Sequence, residues 1–96
     1  DINYIDKLTE FRTQINFLDN QLIELLSERM RVADKIGEVK KEKNVAVLQS
    51  KRWSEIIDKM VAKSTGSGLS EEFISNIFKV IHQESIEHQE IIMKRE

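Results

Sequence analysis

From Leu8 onward the apolar residues recur in alternating steps of three and four: Leu8, Phe11, Ile15, Leu18, Leu22 and Leu25, then Val32, Ile36 and Val39. That spacing puts them in one stripe on a long helix, near the 3.5-residue period of helices that pack along their length. It predicts a first helix over about residues 5–43. Gly37 weakens the helix but lies at the edge of the stripe, so the helix is expected to pass through it. "EKNVAV" breaks the period and reads as a loop. A second helix is predicted over about 49–63, with Trp53, Ile56, Ile57, Met60 and Val61 inward. "STGSG" (Ser64 to Gly68) reads as a turn. Ser70 is placed to cap a third helix over about 70–93, and Glu71 and Glu72 suit the positive end of its dipole. Leu69 and Ile74 have the spacing of a hydrophobic staple. The apolar face of this helix reads Phe73, Ile74, Ile77, Phe78, Ile81 and Ile92. "NVAVL" is the one β-branched cluster, too short and isolated to make a sheet. The fold class is therefore all-α, with one long and two shorter helices in a single domain spanning 1–96.

Lengths then bear on assembly. A helix of about 39 residues is roughly 58 Å long, whereas a compact domain of about 100 residues has a radius of gyration near 13 Å. Two shorter helices cannot cover the whole stripe, and leaving it bare would expose a large apolar patch. An intertwined homodimer, with the long helices of two chains packed together, resolves this. The alternative is a break near Gly37 that gives a four-helix monomer.

Composition excludes several classes. Of the 96 residues 33% are charged and 40% hydrophobic, with a net charge of -2, as in a globular or bundle protein. There is no basic excess to hold a nucleic-acid backbone. No apolar run approaches the roughly 20 residues of a membrane span, and no signal peptide is visible. The absence of cysteine removes disulfides and thiolate metal sites and makes the cytoplasm the default location. His82 and His88 have no metal-ligand partner at i+4 spacing and read as surface residues, so no metal is expected. The chain opens at Asp1 rather than Met, as a trimmed chain or a piece of a longer protein does.

One stripe position holds Arg29, whose guanidinium cannot lose its charge. Burying it unpaired costs several kcal/mol. It is either paired with a nearby acid or drawn out to the surface, or its counter-charge is a ligand. Lys40 follows 11 residues later, about 20° round the helix and about 16 Å along it. Arg12 borders the stripe beside Phe11, about 25 Å from Arg29 and about 42 Å from Lys40 on an ideal helix. Within one chain it cannot share their site; in an antiparallel dimer it can enter the partner's. Arg52 opens the second helix, near the loop. Ser85 and Gln89, at i and i+4, continue the stripe of the third helix, either as helix-packing hydrogen bonders or as ligand donors. Arg52 and Lys40 taken singly also read as solvated surface charges. No nucleophile–base pair is present. Cations, an amide and a hydroxyl aimed inward would bind a small polyanion and stabilise charge developing in it.

The run "FRTQINFLDNQLIELLSERMRVADKIGEVK" resembles the first helix of the all-helical (AroQ-type) chorismate mutases. The ordered pattern is Arg, Ile-x-x-Leu-Asp, Leu-Leu-x-x-Arg and Ile-Gly-x-x-Lys, continuing through Arg52 to "ESIEHQ" with Ser85 and Gln89. The resemblance implies an intertwined dimer of three-helix chains that rearranges chorismate to prephenate in phenylalanine and tyrosine biosynthesis, without cofactor. It implies that Arg29 and the Arg12 of a second chain clamp the substrate's two carboxylates, and that Lys40 and Gln89 bond the ether oxygen. Ser85 assists at a carboxylate, and Arg52 orders the ligand-side end of the second helix. Two positions depart from the pattern. Trp53 stands where relatives carry an acid that accepts from the substrate hydroxyl. Gln49 stands where a second acid is common, and it can still accept. The chain also resembles mutase domains fused to a DAHP synthase. Two other functions stay open at this point: an isochorismate-pyruvate lyase on the same fold, and a non-catalytic dimerisation or regulatory module.

Overall fold

The computed structural model describes residues 2–95. The chain forms three α-helices, α1 (Ile2–Lys43), α2 (Ser50–Ser64) and α3 (Glu71–Lys94), and no strand among the described residues. None of the helices is long and apolar enough to cross a membrane. α1 continues unbroken through Gly37, so the four-helix alternative is excluded. It ends where Asn44 takes a left-handed conformation, φ 55°. The Val45 N–H then reaches the Lys40 carbonyl (2.9 Å) and the Asn44 N–H reaches that of Lys41 (3.2 Å), closing the last turn in a Schellman motif. Lys40, Lys41 and Lys43 sit in that turn, where the dipole favours cations. The Ser70 hydroxyl accepts from the Phe73 N–H at 3.1 Å and caps α3, as its position in the sequence predicts. Gly66 and Gly68, with φ of 81° and 87°, supply the left-handed residues of the α2–α3 turn.

The chain divides into two units at the Arg31–Val32 junction. In the first, no described residue is buried. Phe11, Ile15, Leu18, Leu22 and Leu25 stand between 51% and 62% exposed, so this chain alone leaves that part of the stripe uncovered.

The second unit contains the end of α1 together with α2 and α3. Its buried apolar residues are Ala33, Ile74, Ile86 and Ile92, with Ser64, Ser85 and Gln89 buried among them. Trp53, Ile56, Ile57, Met60 and Val61 are half-buried, on the inward face the spacing predicts for α2. On α3 two expectations are corrected. Phe73 and Ile77 are exposed, at 48% and 38%, while Ile86, which the stripe reading passed over, is buried. Counting 100° per residue, the buried positions centre on the face of Ile74, Ser85, Gln89 and Ile92; Ile77 falls about 100° and Phe73 about 140° from that centre.

A second correction concerns Gly37. It is buried, and a Cβ there would lie 3.0 Å from the Gln89 Cα and 3.2 Å from the Ile92 Cβ. Gly37 is thus the point at which α1 and α3 meet backbone to backbone. The small residues Ala33 and Gly37, one turn apart, form the face of α1 that receives α3. The stripe residues Val32, Ile36 and Val39 lie about 100° round the helix and stay 43% to 58% exposed. α1 therefore has two working faces here, a small-residue face met by its own chain and an apolar face that its own chain leaves open.

This contact makes a prediction about Gly37→Ala. Alanine favours an isolated helix by about 1 kcal/mol. Here the added methyl would press on backbone at 3.0 Å, and overpacking of this kind costs typically about 1–3 kcal/mol. The expected outcome is a net loss of stability, seen as a lower urea midpoint with an unchanged slope. A gain in stability would mean that the helices separate at little cost.

Candidate functional site

The α1–α3 contact carries a polar pair on its flank. Lys40, half-buried one turn beyond Gly37, donates from Nζ to the Gln89 Oε1 at 2.7 Å and to the Val47 carbonyl at 2.7 Å. An ammonium has three donors and no acceptor. The Gln89 oxygen must therefore face Lys40, which leaves the carboxamide nitrogen with two N–H donors for a further acceptor. Lys40 itself retains a third donor. Burial lowers its pKa from the ordinary 10.5, because the charged form has lost part of its hydration. The bond to Val47 also ties the α1–α2 loop to the same lysine. Gln89 is buried, and so is Ser85 one turn before it.

Beside Lys40 opens a cleft of about 380 Å³ lined by Val32, Lys35, Ile36, Val39, Lys40, Lys43, Val45 and Gln49. That volume falls in the range of small-molecule sites, about 300–1,000 Å³. Its floor is the open apolar face of α1, and its polar groups are three lysines and one carboxamide. Gln49 is the residue before α2 and makes no capping bond with its side chain. The structure thus brings Lys40 together with Gln89 on one side and with Gln49 on the other. Lys35 and Lys43 are cleft residues that the sequence reading did not single out. Their signal was present, since both sit within one turn of the Val32–Ile36–Val39 stripe.

The remaining predicted residues stand as follows. Arg52 is exposed in the first turn of α2. Arg12 is exposed and Arg29 half-buried, both on the part of α1 that belongs to the first unit. Trp53 is turned onto α3, its ring stacked on that of His82 with centroids 4.5 Å apart and planes inclined by 23°. At this position an aromatic serves helix packing.

The reading of both histidines as surface residues is corrected. Each is half-buried and joined to another group. His82 stacks on Trp53. The His88 Nδ1 lies 2.9 Å from the Asp34 Oδ1 on α1, and its Nε2 lies 3.4 Å from the Glu84 Oε1 one turn earlier on α3. Spacing along one helix cannot reveal the first contact, because its partner comes from another helix. The hydrogen bond to Asp34 raises the His88 pKa above 6.5 against an opposing effect of burial, and the charges of Asp34 and Glu84 add to the rise.

An all-helical chain that joins a half-buried lysine to a buried carboxamide, beside a cleft lined by apolar residues and lysines, is the setting in which its relatives become informative. The profile of the family described as chorismate mutase type II matches residues 11–90, and the chain belongs to that family. A bifunctional chorismate mutase/prephenate dehydratase of Buchnera aphidicola (subsp. Acyrthosiphon pisum) is 30% identical over 94% of this chain and 23% of its own length. A 4-amino-4-deoxychorismate mutase of Streptomyces venezuelae is 26% identical over 95% of this chain and 88% of its own. A chorismate mutase of Methanocaldococcus jannaschii is 26% identical over 95% and 88%. The chain thus spans about a quarter of the bifunctional relative (23%) and most of the other two.

The His88 contacts set a pH dependence of stability. A histidine whose pKa is raised by folding contributes stability that is fully present below its unfolded pKa, about 6.5, and is lost as pH rises through the higher folded value. The expected outcome is that wild type exceeds His88→Asn in thermal midpoint at about pH 5.5 and that the difference shrinks by about pH 8.5. A difference that is constant with pH would show that the imidazole is not charged in the fold.

Proposed function

We propose that this chain catalyses the rearrangement of chorismate to prephenate, in a site completed by a second copy of itself. The observation that carries this reading is the part-buried Lys40–Gln89 pair at 2.7 Å, beside a cleft lined by apolar residues and three lysines, in a chain of the chorismate mutase type II family. The reaction breaks the ether C–O bond of a dianion as a new C–C bond forms, within one molecule. No nucleophile or base is required. The protein selects the compact reactive conformer and stabilises negative charge on the ether oxygen. The third N–H of Lys40 and an N–H of Gln89 are two donors held close together for that oxygen. Because they are already bonded to each other, little reorganisation is needed when the charge appears.

Arginine forks bind carboxylates bidentately, and in this reading Arg29 and the Arg12 of a second copy hold the two carboxylates. Ser85 assists at one of them, Arg52 orders the start of α2, and Gln49 accepts from the hydroxyl. The described cleft lining combines the apolar Val32, Ile36, Val39 and Val45 with Lys35, Lys40, Lys43 and Gln49. The bare apolar stripe of α1 supports the second copy, since its residues stand 43% to 62% exposed in this chain and exposed apolar patches mark interaction surfaces. Residues 1–96 then serve as one mutase domain, in the cytoplasm, with a DAHP synthase as the expected companion in a longer protein.

Two experiments test this function. In Gln89→Glu the new carboxylate would lie beside the Lys40 ammonium, stay ionised at neutral pH and have no proton to donate. Turnover is expected to fall by about 10²–10³ at neutral pH, the effect of removing one such donor, and to recover as pH falls and the carboxyl protonates. Wild-type turnover at neutral pH would remove Gln89 from the mechanism. The second experiment addresses the shared site. Arg12→Ala and Lys40→Ala, each inactive, are denatured together and refolded. Mixed dimers are about half of the total, and each has one site with both residues intact, so about a quarter of all sites should regain prephenate formation. If verified mixed dimers stay inactive, each site is built from a single chain.

A further inference from the structure

We propose that Asp34 and His88 form a positioning pair, which holds α3 on α1 in the register that places the Gln89 carboxamide on Lys40. The catalytic consequence rests on the function proposed above; the positioning itself does not.

Among the described contacts between the end of α1 and α3, three differ in kind. At Gly37 the backbones touch, with the position of a Cβ only 3.0 Å from the Gln89 Cα. That contact is tight but has no direction, because dispersion lets one helix roll or slide on another at small cost. The other two are polar and directional. Asp34 and Lys40 stand on either side of Gly37, about 9 Å apart along α1 at 1.5 Å per residue. Their partners, His88 and Gln89, are consecutive and therefore point about 100° apart on α3. A helix held at two such bearings cannot roll. The Asp34–His88 bond of 2.9 Å thus adds a second directional restraint on rotation about the Gly37 contact to that of the Lys40–Gln89 bond of 2.7 Å.

The charged groups that face His88 are Asp34 from α1 and Glu84 on α3, at 2.9 Å and 3.4 Å. The ring is thus held from both edges, which fixes its plane as well as its distance. His88 does not line the cleft. Its effect on a bound substrate passes through Gln89 and Lys40. The two act on charge that develops at the ether oxygen, whereas the arginines carry ground-state binding. Loss of the pair should therefore lower kcat and leave KM nearly unchanged.

The test compares His88→Leu, which fills the space without a donor, with His88→Asn, whose amide nitrogen occupies nearly the place of Nδ1. His88 is half-buried, so the folding of each variant is checked first by circular dichroism. In the ligand-free protein, NMR follows the Gln89 carboxamide and the Lys40 ammonium. Their hydrogen-bonded signals should be lost in His88→Leu and kept in His88→Asn. With chorismate, kcat should fall about tenfold in His88→Leu with KM within about twofold, and His88→Asn should stay within about twofold of wild type in both. Asp34→Leu should match His88→Leu, and the double variant should be no worse than either. Unchanged signals in His88→Leu, or equal losses in His88→Leu and His88→Asn, would overturn the proposal. A wild type that forms no prephenate would instead overturn the function, and the NMR comparison would still decide the positioning role.

Discussion

The approach of α1 to α3 at Gly37 is the constraint on which the rest of the site depends. With 3.0 Å between a would-be Cβ and the Gln89 backbone, no side chain fits between the helices. This closeness lets the Lys40 ammonium, one turn away, meet a carboxamide on the facing helix and a loop carbonyl at 2.7 Å each. A larger residue at 37 would separate the axes, and the lysine would turn to water. The helix thus accepts a poor helix former at this position in return for geometry on its flank.

The same choice explains the exposed stripe of α1. Because α3 rests on small residues, the large apolar side chains about 100° away are not used by their own chain. They become the floor of the cleft at Val32, Ile36 and Val39. One helix in this way presents a small-residue face to α3 and a large apolar face that its own chain leaves exposed. The charge balance follows the same division. The cleft gathers Lys35, Lys40 and Lys43, although the chain as a whole carries a net charge of -2.

Much of this was legible in the chain. The steps of three and four along α1, the turn at Ser64 to Gly68 and the cap at Ser70 are local signals, and each predicts an element or a boundary from nearby residues alone. The helical class followed from them. The placement of Ser85 and Gln89 in the stripe of α3 also showed that they turn inward. Other features were less legible. Gly37 read as a tolerated weakness, because its value lies in what another helix brings against it. His88 read as a surface residue, because Asp34 is 54 positions away in the chain. Trp53 drew attention as a missing acid, whereas its ring is stacked on His82.

The sequence by itself determined the helices, the residue types available for anion chemistry and the family to which they belong. These depend on interactions within a turn or two, or on ordered residue types along the chain. Only the tertiary structure decided which face of α1 meets α3, which oxygen of Gln89 Lys40 holds, and which carboxylate His88 finds. The reason is physical. Helical periodicity specifies where a side chain points around its own axis, but it carries no information on the separation, rotation and register of two helices, and hydrogen bonds of 2.7 to 2.9 Å depend on all three.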